Sequence, residues 1–213
     1  NQVMGPADLE MATMLHTEIR MNSVDLRLGQ SVTGFEKSNE RLRVILSSGD
    51  RIETDAVIMA IGVRPENQLA KAAGLDIGVT GGIKVDSRMR TSDEAIYAVG
   101  DAVEVKDLMT GKPALIPLAG PANRQGRIAV DNIYGLKRDY RDTQGSAVCK
   151  VFDLTFAMTG LSEKQAVKNA IHYDKVYVHP ANHASYYPGA TSISLKMIYD
   201  PDTGRVLGAQ AVG

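Results

Sequence analysis

With 213 residues, 44% of them hydrophobic and 23% charged, the chain has an ordinary globular composition and room for one large domain or two small ones. A formal net charge of −1 leaves no basic footprint for nucleic acid, and the longest nearly apolar run, AVIMAIGV at residues 56–63, is too short to cross a bilayer. A single cysteine, Cys149, excludes an internal disulfide and fits a reducing compartment, so a cytoplasmic protein is expected.

GPADLEMATMLHTEIRMNSV places Leu9, Ala12, Met14 or Leu15, and Ile19 at helical spacing, with Asp8 as N-cap after Pro6, and predicts a helix ending near residues 21–23. VDLRLGQ then alternates as a strand does. VTGFEKS, RLRVILSSGD and RIETDAVIMAIG follow, separated by Asn39 and by the SSGD corner, which is a hairpin signal. The end of this series, residues 55–61, is continuously apolar and is expected as a strand buried on both faces. GVRPENQLAKAAG leaves it through Gly62 and Pro65 into a short helix that Gly74 terminates.

GGIKVDSRMRTSDEAIYAVGDA predicts a strand, an irregular crossing and a second buried strand, IYAV, that stops at Gly100. EVKDLMTGKPAL reads as a solvated hairpin carrying Lys106 and Lys112. PLAGPANRQGRIAVDNIYG opens with Pro and Gly and becomes a helix over residues 122–134, after which LKRDYRDTQG reads as a polar linker. Beyond Gly145 the pattern changes: SAVCKVFDLTFAMTG alternates, LSEKQAVKNA is a helix capped by Ser162, KVYVH is a strand, and TSISLKMIYDPDTGRVLGAQAVG is a hairpin turning at residues 200–204. These elements predict a separate α+β unit on an antiparallel sheet. Cys149 lies in a strand remote from the other motifs and reads as an inert thiol. His16, His172, His179 and His183 show no ligand spacing, so no metal is expected. Both ends of the sequence look abrupt, and a fragment of a longer polypeptide is expected.

The chemistry concentrates at Gly100-Asp101. In open α/β sheets, ligands sit outside the carboxyl ends of strands, and a glycine there lets a ligand approach the backbone. An ionised Asp101 is acceptor-only and suits a donor such as a polyol hydroxyl. The turn at residues 117–121 then opens a helix whose free N–H groups favour an electron-rich ligand group. The two together make a site for a nucleotide-like cofactor. On spacing alone, the alternative that Asp101 merely caps the strand exit stays open.

TSDEAIYAVGDA resembles the second flavin-binding motif of the pyridine nucleotide–disulfide oxidoreductases, AIGVRPEN their hinge between NAD and FAD domains, PLAGPANRQGRIAVDNI the segment facing the flavin ring, and KVFDLTFAMTGLSEKQA the opening of their interface domain. The order and spacing of all four match. The resemblance implies an α/β fold: an incomplete two-dinucleotide-binding architecture followed by an α+β dimerisation domain. Residues 1–61 would finish the NAD(P)-binding domain, 62–137 would be the return segment of the FAD-binding domain, and 145–213 a truncated interface domain. Both G-x-G-x-x-G motifs of the family would precede Asn1. The resemblance puts FAD at Gly100, Asp101, Pro117, Leu118, Ala119, Ala122 and Asn123, with Asp101 on the ribityl chain. It puts NAD(P)H near Gly62; Arg64 beside it is either near the nicotinamide or paired with an acid.

NHASYYPGA, residues 182–190, is similar to the coenzyme A-disulfide and persulfide reductase branch, which is related to NADH oxidases and uses one redox cysteine beside the flavin. That cysteine would lie outside this chain. The resemblance gives Tyr187, with Tyr186 beside it, the role of assisting thiol chemistry in the partner subunit; alternatively the two rings pack the sheet. The implied activity is electron transfer from NAD(P)H through FAD to a cysteine-linked disulfide such as CoA disulfide or a persulfide, in a homodimer. An NADH oxidase or peroxidase working through a sulfenic acid is the first alternative. A catalytically inactive fragment that only dimerises or binds partners is the second.

Overall fold

A computed structural model describes residues 2–213; Asn1 and the side chain of Ser38 lie outside the described residues. The chain divides into two compact units. One holds the residues up to Val63 together with Lys150–Leu154, and the other holds Arg64–Cys149 and Thr155–Gly213.

In the first unit, α1 (Leu9–Met21) buries Met11, Ala12, Leu15 and His16 along one face, and Asp8 takes the N-cap position in extended backbone. Ser23 terminates it at φ 62, a left-handed conformation usually given to glycine, and Val24 N–H donates to the Ile19 carbonyl. His16 Nε2 accepts the Val3 N–H at 3.2 Å, which requires a neutral ring. Strands β1 (Val32–Ser38), β2 (Arg41–Leu46) and β3 (Arg51–Thr54) form an antiparallel meander, turned at Asn39 (φ 56) and at Gly49 (φ 89).

Two expected strands are missing here. Residues 24–30 and 55–61 are irregular, and Ile58 and Ile61 are 91% and 86% exposed. A continuously apolar strand is stable only with sheet neighbours and with layers on both faces. Among the described residues no strand pairs with either segment.

The second unit begins with α2 (Gln68–Ala72), which ends at Gly74. Strand β4 (Ile83–Lys84) pairs in parallel with β5 (Val103–Lys106), and β6 (Pro113–Ala114) closes the small sheet. The loop before β4 straps over Glu104, whose Oε2 accepts both the N–H and the hydroxyl of Thr80. Gly82 is required there: a Cβ on it would stand 2.5 Å from Glu104 N and 2.8 Å from Leu115 Cδ2. Helix α3 (Ala119–Ile133) starts three residues earlier than its sequence pattern implied, with Pro121 accommodated in its first turn. Met89, Val103 and Ala129 form the core between these elements.

The expected buried strand at residues 96–99 is also absent. Tyr97 makes one isolated bridge to Arg90, and Ile96 and Val99 are about two-fifths exposed (38% and 40%). The polar stretch after α3 is not a free linker either. Tyr140 N–H donates to Ser87 O at 2.6 Å, its hydroxyl bonds Thr143 Oγ1 at 2.8 Å, and buried Thr143 bridges back to Asp107.

The remaining elements are β7 (Ala147–Val151), β8 (Leu154–Gly160), α4 (Glu163–Lys168), β9 (Asp174–Val178), β10 (Ser194–Tyr199) and β11 (Val206–Val212), with the strands in sheet order β7-β8-β11-β10-β9. Ser162 begins α4 with a capping box, its N–H donating to Gln165 Oε1 at 2.9 Å. Side chains alternate cleanly across this sheet. Phe156, Lys196, Ile198, Gln210 and Val212 are buried on one face, where Leu161, Ala166, Ile198 and Leu207 cluster under α4. The other face carries two rows in register, Ala157–Ala211–Leu195–Val178 and Thr159–Ala209–Met197–Val176.

Lys196 pins that register. Its Nζ meets Glu163 Oε2 at 2.6 Å, and Lys175 Nζ meets Glu163 Oε1 at 2.8 Å. Burial draws the Glu163 carboxyl upward, but the hydrogen bonds from Lys175, Lys196 and Tyr173 outweigh it and hold the group below the usual range. A one-residue slip of β10 would turn this ammonium onto the apolar face.

Three outcomes test this account. Burial, then the charge of Arg20, holds His16 below its ordinary pKa of 6.5. The ring is therefore harder to protonate folded than unfolded, and its contribution is complete above that value and lost as pH falls through the lower folded value. Thermal unfolding measured from neutral to mildly acid pH should show this loss, and His16→Gln should flatten it. Gly82→Ala should cost about 1–3 kcal/mol in denaturant unfolding through overpacking. Gly126→Ala, where a Cβ meets nothing within 4 Å inside α3, should stabilise by about 0.5–1 kcal/mol.

Candidate functional site

The site is built on Gly100. Val99 arrives in extended backbone, Gly100 takes φ 79, and Gly100–Ala102 form a 3-10 turn leading into buried Val103. The glycine answers a backbone need, since a Cβ there would lie 3.8 Å from Ala122 Cβ without a clash. Gln125, 2% exposed within α3, accepts the Gly100 N–H on its Oε1 at 2.7 Å. The turn is thereby fastened to the helix, and Asp101, next in the chain, stays exposed with its carboxylate free to accept from a ligand. Asp101 thus sits on a 3-10 turn ahead of β5, not on the tip of a buried strand.

The N-terminus of α3 supplies the second half. Pro117 is exposed, and Leu118 stands at the N-cap in extended backbone with no side-chain oxygen to cap the helix. The first turn carries no acid, and a Cβ at Gly120 would meet nothing within 4 Å. The amides of Ala119 and Gly120 are among the first of the helix, where no intrahelical acceptor is available. Ala122 N–H returns to Leu118 O at 3.1 Å, and Asn123 Nδ2 donates back to Ala119 O at 2.9 Å. On another side of α3, Gly120, Pro121 and Arg124 line an open cleft of about 490 Å³ with Arg141, Gln144 and Ser146.

The tyrosine pair lies on a separate loop between β9 and β10. Its neck is closed by Ile193 N–H to Pro180 O and Asn182 N–H to Thr191 O, both at 2.8 Å, and Gly189 turns it at φ 80. Tyr186 and Tyr187 are 83% and 58% exposed. Their rings lie 5.4 Å apart, with His183 edge-on to Tyr187 at 5.8 Å. The pair projects outward and does not pack the sheet. Gly62 is exposed at φ 102, at the end of the apolar run of the first unit.

Burial pushes the Cys149 thiol above its ordinary pKa, as an inert cysteine requires. The remaining histidines are engaged singly: His172 with Asp202 at 3.3 Å and His179 with Ser194 Oγ at 3.0 Å. Gln125 is the residue that the sequence pattern did not single out. Its one signal is a polar side chain four residues before Ala129 on the buried face of α3.

The family model described as pyridine nucleotide-disulphide oxidoreductase matches residues 1–126, and that family's dimerisation domain matches residues 146–213. A protein of Pyrococcus furiosus named NAD(P)H sulfur oxidoreductase (CoA-dependent) is 36% identical over 97% of this chain and 46% of its own length. A protein of Methanocaldococcus jannaschii named NADH oxidase is 37% identical over 97% of this chain and 45% of its own length. The crystal structure of reduced Bacillus anthracis CoADR-RHD superposes with a TM-score of 0.95 at 48% identity, covering all of this chain and 38% of that one. The chain thus spans about half the length, or less, of the relatives it matches.

Replacing Gln125 by Leu should leave the Gly100 N–H without its acceptor, at a cost of about 1–3 kcal/mol. Hydrogen exchange at the Gly100 amide should quicken about tenfold or more, following this loss; unchanged exchange would show that the bond does not hold the turn.

Proposed function

The chain belongs to the pyridine nucleotide-disulphide oxidoreductase family, and on that premise we propose that it is part of a longer FAD-dependent enzyme that reduces a cysteine-linked disulfide with NAD(P)H. The observation that carries this reading is the pairing of an exposed carboxylate, Asp101, with the uncapped start of α3 through the Gln125–Gly100 bond. That donor and acceptor set fits a flavin with a polyol chain: an acceptor-only side chain for hydroxyls, and backbone donors with no competing acid for the electron-rich ring edge. When bound, FAD supplies hydride acceptance and two-electron delivery.

In this reading Asp101 holds the ribityl chain, and Pro117, Leu118, Ala119, Ala122 and Asn123 form the wall at the ring's pyrimidine side. Gly62 stands where NAD(P)H approaches. Tyr187, with Tyr186 beside it, extends from one subunit of a homodimer to assist the thiol of the other, and the exposure of both rings is what such a reach requires. The CoA-dependent name of the Pyrococcus relative favours CoA disulfide or a persulfide as the electron acceptor. A cytoplasmic location is consistent with the single, chemically inert thiol; no helix of the described residues is long and apolar enough to cross a membrane.

The Methanocaldococcus relative supports a second reading, an NADH oxidase in which O2 takes the electrons. Purified full-length polypeptide separates the two. With NADH supplied, faster oxidation on adding CoA disulfide or CoA persulfide favours the reductase, whereas stoichiometric O2 uptake without such acceleration favours the oxidase. Asp101→Ala in the same protein should weaken flavin retention about 10- to 100-fold, the worth of a charge-assisted hydrogen bond. Full retention of the visible flavin spectrum after dialysis would remove Asp101 from the site.

A further inference from the structure

The open cleft of about 490 Å³ beside α3 has the size of a small-molecule site and no part in the disulfide reductase reading. None of the residues proposed to hold the flavin lines it. Two elements bring arginines to its wall. Arg124 comes from α3, next in the chain to the buried Gln125 that fastens the helix to Gly100. Arg141 comes from the segment after that helix, which is tied down on both sides. Tyr140 N–H donates to Ser87 O at 2.6 Å, Thr143 N–H to Lys106 O at 2.8 Å, and Leu108 N–H to Thr143 O at 2.9 Å. Fixed backbone therefore carries both arginines to one cleft.

Charge in the cleft is unbalanced. Asp142 is the one acid on its wall, and Lys106 Nζ already engages it at 3.2 Å. Arg124 and Arg141 are exposed, and among the described residues neither guanidinium has a hydrogen bond or an ion pair. Leu108 and Tyr140 add apolar surface to the same wall, and the Tyr140 hydroxyl is already bonded to Thr143 Oγ1. A bare inorganic anion would leave that surface wet.

We propose that this cleft binds an organic phosphate monoester, its phosphate on Arg124 and Arg141 and its apolar or aromatic body against Leu108 and Tyr140. A guanidinium offers a planar fork of donors that matches phosphate oxygens, and it stays charged at any working pH. One such fork already occupies both oxygens of a carboxylate. A phosphate dianion has oxygens enough to accept from two forks that approach from different elements.

The test uses the full-length polypeptide with flavin bound and NAD+ at saturation, so that both dinucleotide sites are filled. Phenyl phosphate is titrated by isothermal calorimetry, beside inorganic phosphate and phenol, each of which carries only half of the recognised chemistry. Saturable binding of one phenyl phosphate per chain is expected, with inorganic phosphate and phenol each bound at least about tenfold more weakly. Arg124→Gln and Arg141→Gln should each weaken phenyl phosphate about 10- to 100-fold, the worth of a charge-assisted hydrogen bond, and leave the visible flavin spectrum unchanged. Absence of saturable binding overturns the proposal, as does an affinity that neither substitution changes, or inorganic phosphate binding as tightly as its phenyl ester. The readout is binding without turnover, so failure here is distinct from failure of the disulfide reductase reading.

Discussion

One hydrogen bond ties the Gly100 turn to α3: the Gly100 N–H on the buried Oε1 of Gln125. Inside a protein core an unpaired amide is expensive, so the glutamine is not a bystander to α3 but the acceptor that lets the turn exist. Because the bond is made inside the core, the carboxylate of Asp101 stays outside it. The helix that supplies the acceptor also presents its uncapped N-terminus. A single helix therefore fixes both the acceptor and the donors of the site, and neither can drift without the other.

Electrostatics reinforces the same economy in the five-stranded sheet. A buried lysine gives little net stability, since desolvating two charges offsets most of their attraction. Its value here is in selection. Lys196 has an acid on one side of the sheet and a face of alanines, valines, Leu195, Met197 and the single polar Thr159 on the other. Misregistered pairings of β10 are therefore excluded by a far larger penalty than the ion pair gains in the correct one. The tilt of Tyr177 under the ammonium, 5.5 Å from ring centroid to Nζ, adds a favourable contact from the neighbouring strand.

Local signals were legible in the sequence, and signals that depend on absent neighbours were not. The alternation in SAVCKVFDLTFAMTG, the Ser162 N-cap and the glycine turns at Gly49 and Gly204 each reach only a few residues, and each appears where its pattern placed it. The apolar runs at residues 55–61 and 96–99 carried a different message. They state that a segment wants burial without stating what buries it, and here they are irregular and partly exposed. A carboxylate after glycine and a Pro/Gly helix opening are short-range patterns visible in the sequence, although α3 begins three residues earlier than its pattern implied. Gln125 was not readable in this way, because its partner lies 25 residues away and nothing in the spacing announces it.

The close pairing of β8 and β11 at Gly160 and Gly208 has a mechanical meaning. Gly160 and Gly208 bring the backbones around Leu161 and Leu207 so close that a Cβ on either would strike a carbonyl oxygen. Through this close approach the entrance to α4 and the β10–β11 hairpin share one seam, and β10 carries it to the edge where the loop bearing Tyr186 and Tyr187 leaves the sheet. The hydrogen-bonded neck of that loop fixes the point of departure. A larger side chain at Gly160 or Gly208 would therefore be felt at the base of the tyrosine loop as well as at α4.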